Sequence, residues 1–196
     1  MNLTELQAEV YTLTNRPDLV TETLAAVRSA TLKLHQIDYF YKDLYETGVS
    51  FSTAAYQQQL EYRTLLPRWR SLKYLRKTDV SGSDTLGFFE IIVPENVLDD
   101  YNLNRDNVAY VAGAVVQMRS STQFQYIILG CYLQPDITVA TYTSWIALDH
   151  PYAIVWEAAA TVFKMIGDTE QFAAFSALSQ IEQNNIKISN IQSSGQ

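Results

Sequence analysis

Apolar residues recur at helical spacing at both ends of this chain and at strand spacing in its middle. That change of period constrains the fold more than any other feature, because the two patterns bury different faces. At the start, Leu3, Leu6, Val10 and Leu13 predict a helix over 3–13, with Asn2 or Thr4 as its cap. "TNRPD" then punctuates, and Pro17 suits an early position in a second helix capped by Asn15 or Arg16, with Asp18 near its positive end. Val20, Leu24, Val27, Thr31 and Leu34 give that helix one buried stripe, ending near Ile37. Near residue 149 the helical period returns. Asp149 reads as a cap, Pro151 as an early helical residue and Gly167 as the stop. Asp168, with Gln171 three residues on, opens a last helix whose expected stripe is Phe172, Phe175, Leu178 and Ile181.

The middle reads as strands. "YQQQLEYRTLLPRWRSLKYLRKTD" alternates at Leu60, Tyr62, Thr64 and Leu66 until Pro67 interrupts it. "VSGSD" reads as a turn, "LGFFEIIVP" as a short strand and "ENVLDDYN" as a helical turn. "NVAYVAGAVVQMR" and "TQFQYIILGCYLQP" are two β-rich runs that predict a hairpin turning at Ser120 and Ser121. Helices, then strands, then helices indicate an α+β chain. The expected division is a helical bundle from 1–38 and 143–190, an inserted antiparallel β lobe over 39–142, as sheet or sandwich, and a polar tail over 191–196.

Charge narrows the function. The net charge is −7, with +2 in residues 1–78 and −9 in 79–196. An acidic chain is a poor sequence-independent DNA binder, which needs clustered Lys and Arg. Cys131 is the single cysteine, so no internal disulfide is possible, and its Ile, Leu and Tyr neighbours predict a buried small hydrophobe. The start has no basic, long apolar leader, and no apolar run reaches the roughly 20 residues of a membrane span. The 13 tyrosines suit either strands or protein interfaces.

Little in the sequence suggests catalysis. His35 and His150 lack ligand-spaced partners and read as boundary or surface residues. Glu95, Asp99 and Asp100 read as solvated loop carboxylates rather than a metal set. No catalytic, metal or cofactor residue is expected. The one unusual segment is 63–77, where Arg63, Arg68, Arg70, Lys73, Arg76 and Lys77 surround Trp69 and Tyr74. Such a pattern fits a protein contact or a solvated strand face better than single-stranded nucleic acid in a chain this acidic.

"LTELQAEVYTLTNRPDLVTETLAAVRSATLKLHQIDYFYKDL" resembles the start of head-to-tail adaptor proteins of short-tailed bacteriophages. "HPYAIVWEAAATVFKMIGDTEQFAAFSALSQIEQ" is similar to their C-terminal helical pair. Together the two segments cover somewhat under half of the chain. The resemblance implies a structural virion protein, not an enzyme: a subunit of a dodecameric ring beneath the portal. That ring continues the DNA channel and carries the tail nozzle and fibres, while the genome passes through without specific binding. By position, Ile186, Ile188 and Ile191 would lie in a portal-docking tail over 186–196, separable from the fold. Arg68, Arg70, Tyr39 and Tyr41 are the other candidate partner contacts. Competing readings are a nozzle or tail-completion protein, a ligand-binding β module using Tyr39, Phe40, Tyr41 and Tyr45, or a packaging nuclease.

Overall fold

The structure is a computed structural model, and it describes residues 1–78, 85–98 and 103–193. The chain is mixed α and β, with six α-helices and a nearly barrel-shaped sheet among the described residues. It divides into two compact units, one built from Met1–Asp43 and Gln134–Gln196, the other from Leu44–Leu133. The divisions thus fall at 43 and 134, where sequence had suggested 38 and 143.

In the helical unit, α1 spans Leu3–Thr14 and α2 Val20–Gln36. Asn2 caps α1 by accepting from the Glu5 amide, while the Glu5 carboxylate accepts from the Asn2 amide. Asn15 does not start α2. It ends α1 in the left-handed region (φ 50°), where Asn is tolerated. Helix α2 begins only at Val20, without a side-chain cap, and Asp18 pairs instead with Arg16. The buried face of α2 is Thr23, Ala26, Val27, Ala30, Thr31, Leu34 and His35, with Val20 exposed.

After the sheet, α4 spans Trp145–Asp149 and is capped by Ser144, and α5 spans Pro151–Ile166. Gly167 closes α5 at φ 82°, a conformation that favours glycine. Helix α6 spans Thr169–Ser193, its first turn fixed by the Gln171 amide donating to Asp168 Oδ1 at 3.0 Å. One core joins Leu6 and Val10 of α1 and Val27 and Leu34 of α2 to Ile154, Ala158 and Val162 of α5 and Ile186 of α6. The expected stripe of α6 needs correction. Phe172 and Phe175 do pack on this core, but Leu178 and Ile181 are exposed, and Ser179 and Ile186 are the buried positions. The segment expected to be a polar tail continues the helix as far as Ser193.

The second unit is organised by one strand. Here β1 spans Leu44–Glu61, α3 is a single turn over Tyr62–Leu65, and β2 spans Trp69–Thr78. Short strands β3 (Thr85–Phe88), β4 (Glu90–Ile91) and β5 (Val108–Ala112) precede β6 (Val115–Leu133). β6 pairs antiparallel with β1, β2 and β5. The Phe89 amide donates to Leu75 O and the Glu90 amide to Asn107 O, so the β3–β4 segment links β2 to β5 and nearly closes the sheet. Leu75, Phe89, Ala109, Met118, Phe124, Ile127 and Leu129 fill the interior, with the Phe89 and Phe124 rings edge to face at 5.2 Å.

No hairpin turns at the two serines: β6 runs straight through Ser120 and Ser121. The reversal lies between β5 and β6, where Ala112 pairs with Val115 and Gly113 sits at φ 62°. A tight reversal needs a residue that accepts positive φ, and serine does not readily supply one. "VSGSD" lies outside the described residues, as does the end of "ENVLDDYN", whose first residues make a 3-10 turn over Pro94–Val97.

Candidate functional site

The basic segment resolves into residues with different fates. Arg76 Nη2 lies 3.2 Å from Glu46 Oε1, and the Tyr74 hydroxyl donates to Glu46. Glu46 sits on β1, so these contacts cross the sheet. Tyr74 also lies over Gly130 of β6, where there is no room for a methyl group. Its hydroxyl is held above the usual phenol range by burial and by the Glu46 carboxylate.

Lys77 belongs to the segment expected to make a protein contact or a solvated strand face, and it does neither, because it is buried. Its ammonium donates to Asn107 Oδ1 at 2.9 Å and Ser120 Oγ at 2.8 Å, and it lies 5.6 Å from the centre of the Phe89 ring. Burial lowers its pKa below that of an ordinary lysine. The β6 alternation places Ser120 inward, and Asn107 approaches it from a left-handed turn (φ 58°) at the start of β5.

Arg63 and Arg70 come together on a cleft of about 690 Å³, with Tyr62, Trp69, Ile91 and Val111 among its other walls. Pro67 sits inside the turn after α3, which the Trp69 amide closes by donating to Leu66 O, and the Tyr62 and Trp69 rings lie 4.4 Å apart with their planes tilted by 30°. The Tyr62 hydroxyl donates to Gly113 O at 2.9 Å, which fixes this wall. Among the described residues, no carboxylate lines the cleft. Arg68 is exposed on the turn before β2 and is not part of that wall.

The remaining candidates lie on the helical unit. Tyr39 and Tyr41 are about half exposed, at 51% and 49%, while Phe40 between them is fully buried. Ile186 is also fully buried in the helical core, so it is a packing residue and not a docking contact. Ile188 and Ile191, each 54% exposed, project from the same helix. His35 lies in the last turn of α2, at the boundary where sequence puts it, but it is buried and not a surface residue: its Nδ1 lies 2.9 Å from Asp43 Oδ1, and the Trp145 indole donates to the same oxygen at 2.8 Å. His35 and Asp43 are both almost completely buried. Partners eight and about a hundred residues away gave no sequence signal for this cluster. Cys131 is buried, its thiol pushed up to about 11 by burial.

Among the described residues there is no group of His, Cys, Asp and Glu that could hold a metal ion; Asp99 and Asp100 lie outside them. Nor, among them, is any helix long and apolar enough to cross a membrane. A comparison with protein-family models finds no match, and neither does one with curated proteins.

Proposed function

We propose that the chain is a structural subunit of a virion neck, an adaptor in a homo-oligomeric ring between a portal and the tail nozzle and fibres. In this reading the helices are a bundle, the sheet is a lobe inserted into it, and neither carries out catalysis. One observation supports the reading above the others. The two segments that resemble phage adaptors lie far apart in sequence, yet their helices α1, α2, α5 and α6 share one core. A bundle that closes through both ends of the chain leaves the connecting segment to vary as a separate lobe.

The proposed docking segment begins after Ile186. Removing residues from 186 onward would take a core side chain with it, so truncation after Lys187 is the cleaner form. Ile188, Ile191, Tyr39 and Tyr41 stay as candidate contacts because each is exposed. A ring also needs two unlike lateral faces that fit one another. The charge distribution suits that need. By unit, the helical part carries six Lys/Arg against twelve Asp/Glu, and the sheet part eight against nine. The acidic surplus therefore lies on the helical part.

Electron microscopy of the purified protein mixed with its cognate portal tests the reading. The expected result is a ring stacked coaxially on the portal. A protein that stays monomeric and ignores the portal overturns it.

A further inference from the structure

The strand β6 has two edges, and β1 takes one of them alone. Tyr126 pairs with both Ser50 and Thr78, and Arg119 with both Gln57 and Val108, so β1 lies on one side of β6 while β2 and β5 share the other. On the shared side the β3–β4 segment bridges β2 to β5. Nothing comparable follows β1: among the described residues, β6 is the only strand that pairs with it. The outer edge of β1 is therefore open along an element of 18 residues. Folded proteins guard such edges with charge, proline, shortness or a covering element. β1 is long, has no proline, and carries no charge over 47–60. What guard it has is the irregular register between Ser50 and Gln57. There the side-chain amides of Gln58 and Gln125 donate to the carbonyls of Thr53 and Phe51. The arms on either side, 44–50 and 57–61, keep one register against β6.

We propose that the free chain pairs with a second copy of itself through this edge, β1 against β1, antiparallel about a two-fold axis near Thr53. Strand addition supplies affinity through the backbone. A second copy is the occupant that fits. The chain carries a net charge of −7, so two copies meet best where neither bears charge, and 47–60 is such a stretch. A foreign strand rich in charge finds no complement along it. Pairing about Thr53 sets 44–50 of one copy against 56–62 of the other. Glu46 then faces Leu60 and Tyr45 faces Glu61, so no carboxylate meets another. A shift by one residue would set Glu46 against Glu61. On the second copy, too, the longest open edge among the described residues is β1 itself, because β3 and β4 bridge the far side of the sheet. The inference concerns the sheet unit and stands apart from the neck reading. In that reading the pair opens before a ring of one polarity forms, since a two-fold pair cannot recur within such a ring.

Analytical ultracentrifugation of the full chain over a concentration series, without portal, tests this. A monomer–dimer equilibrium is expected, and hydrogen exchange at the amides of 47–50 and 57–60 should slow as the dimer fills. Ser50 and Tyr56 are exposed, and they face one another in the proposed register. Ser50→Lys together with Tyr56→Lys should raise the dimer dissociation constant about tenfold or more, and Ser50→Lys together with Tyr56→Glu should restore it. Should the two-lysine variant fail to fold, as judged by circular dichroism, Ser50→Lys alone takes its place. A chain that stays monomeric at every concentration overturns the proposal. So does a dimer that the lysines leave unchanged, or one that the lysine pair and the lysine–glutamate pair weaken equally. With no portal present, each of these results leaves the neck reading to its own test.

Discussion

The helical unit and the sheet unit each bury an apolar core, by different means. The helical core takes its rows of Leu, Val, Ala and Ile from helices set by short-range signals, such as the Asn2–Glu5 box and Gly167. The sheet core depends on β6, whose partners begin at residues 44, 69 and 108. Helices can be specified locally, whereas a sheet is specified by which strands meet. The buried polar groups differ as well. The helical unit buries a His–Asp–Trp cluster, and the sheet unit buries a lysine amid neutral oxygens.

Substitutions can break or sharpen that contrast. The largest effect is expected from Leu34→Ala, at about 2–5 kcal/mol in denaturant unfolding, because Leu34 is fully buried among well-packed neighbours. Asp43→Ala removes the carboxylate that both His35 and Trp145 contact, and should cost about 1–3 kcal/mol by the same measurement. In the sheet unit, Gly130→Ala should cost about 1–3 kcal/mol, since the added methyl meets the Tyr74 ring. Adding Tyr74→Ala should recover part of that loss, and strict additivity would show that the ring is not the obstacle.

Lys77 makes a prediction about pH. Its folded pKa is lowered, so between that value and the 10.5 of an ordinary lysine the unfolded chain holds more protons than the folded one. Stability therefore rises with pH through that window, and below it the burial penalty is complete. Lys77→Met should flatten this rise in thermal melts taken across the alkaline range. The smallest effect on folding is expected from Ile191→Glu, within about 0.5 kcal/mol, since the side chain is exposed. In the neck reading that variant should still weaken portal binding in a pull-down.

Much of the helical unit could be read from the sequence because its signals lie within a turn of the residues they control. Asn2, Gly167 and Asp168 act as expected. Asn15 did not, because one Asn can either start or end a helix, and local sequence does not say which. The β5–β6 turn was placed at the serines rather than at Gly113, since a uniformly β-rich run hides where one strand ends. His35 and Lys77 were misjudged because their partners are remote in sequence. The cleft was legible only as a run of basic and aromatic residues. Its opposite bank, Ile91 and Val111, depends on the pairing of β4 with β5.

The length and position of β6 have a consequence for synthesis. Every antiparallel partner of this strand precedes it in the chain. A growing polypeptide must therefore hold about seventy residues, from the start of β1 to the end of β5, in waiting until β6 has left the ribosome. The helical core waits longer still, for α5 and for Ile186. Truncated products of this chain should accordingly be sticky and prone to degradation, and a chaperone would find its work concentrated in the interval before β6 emerges.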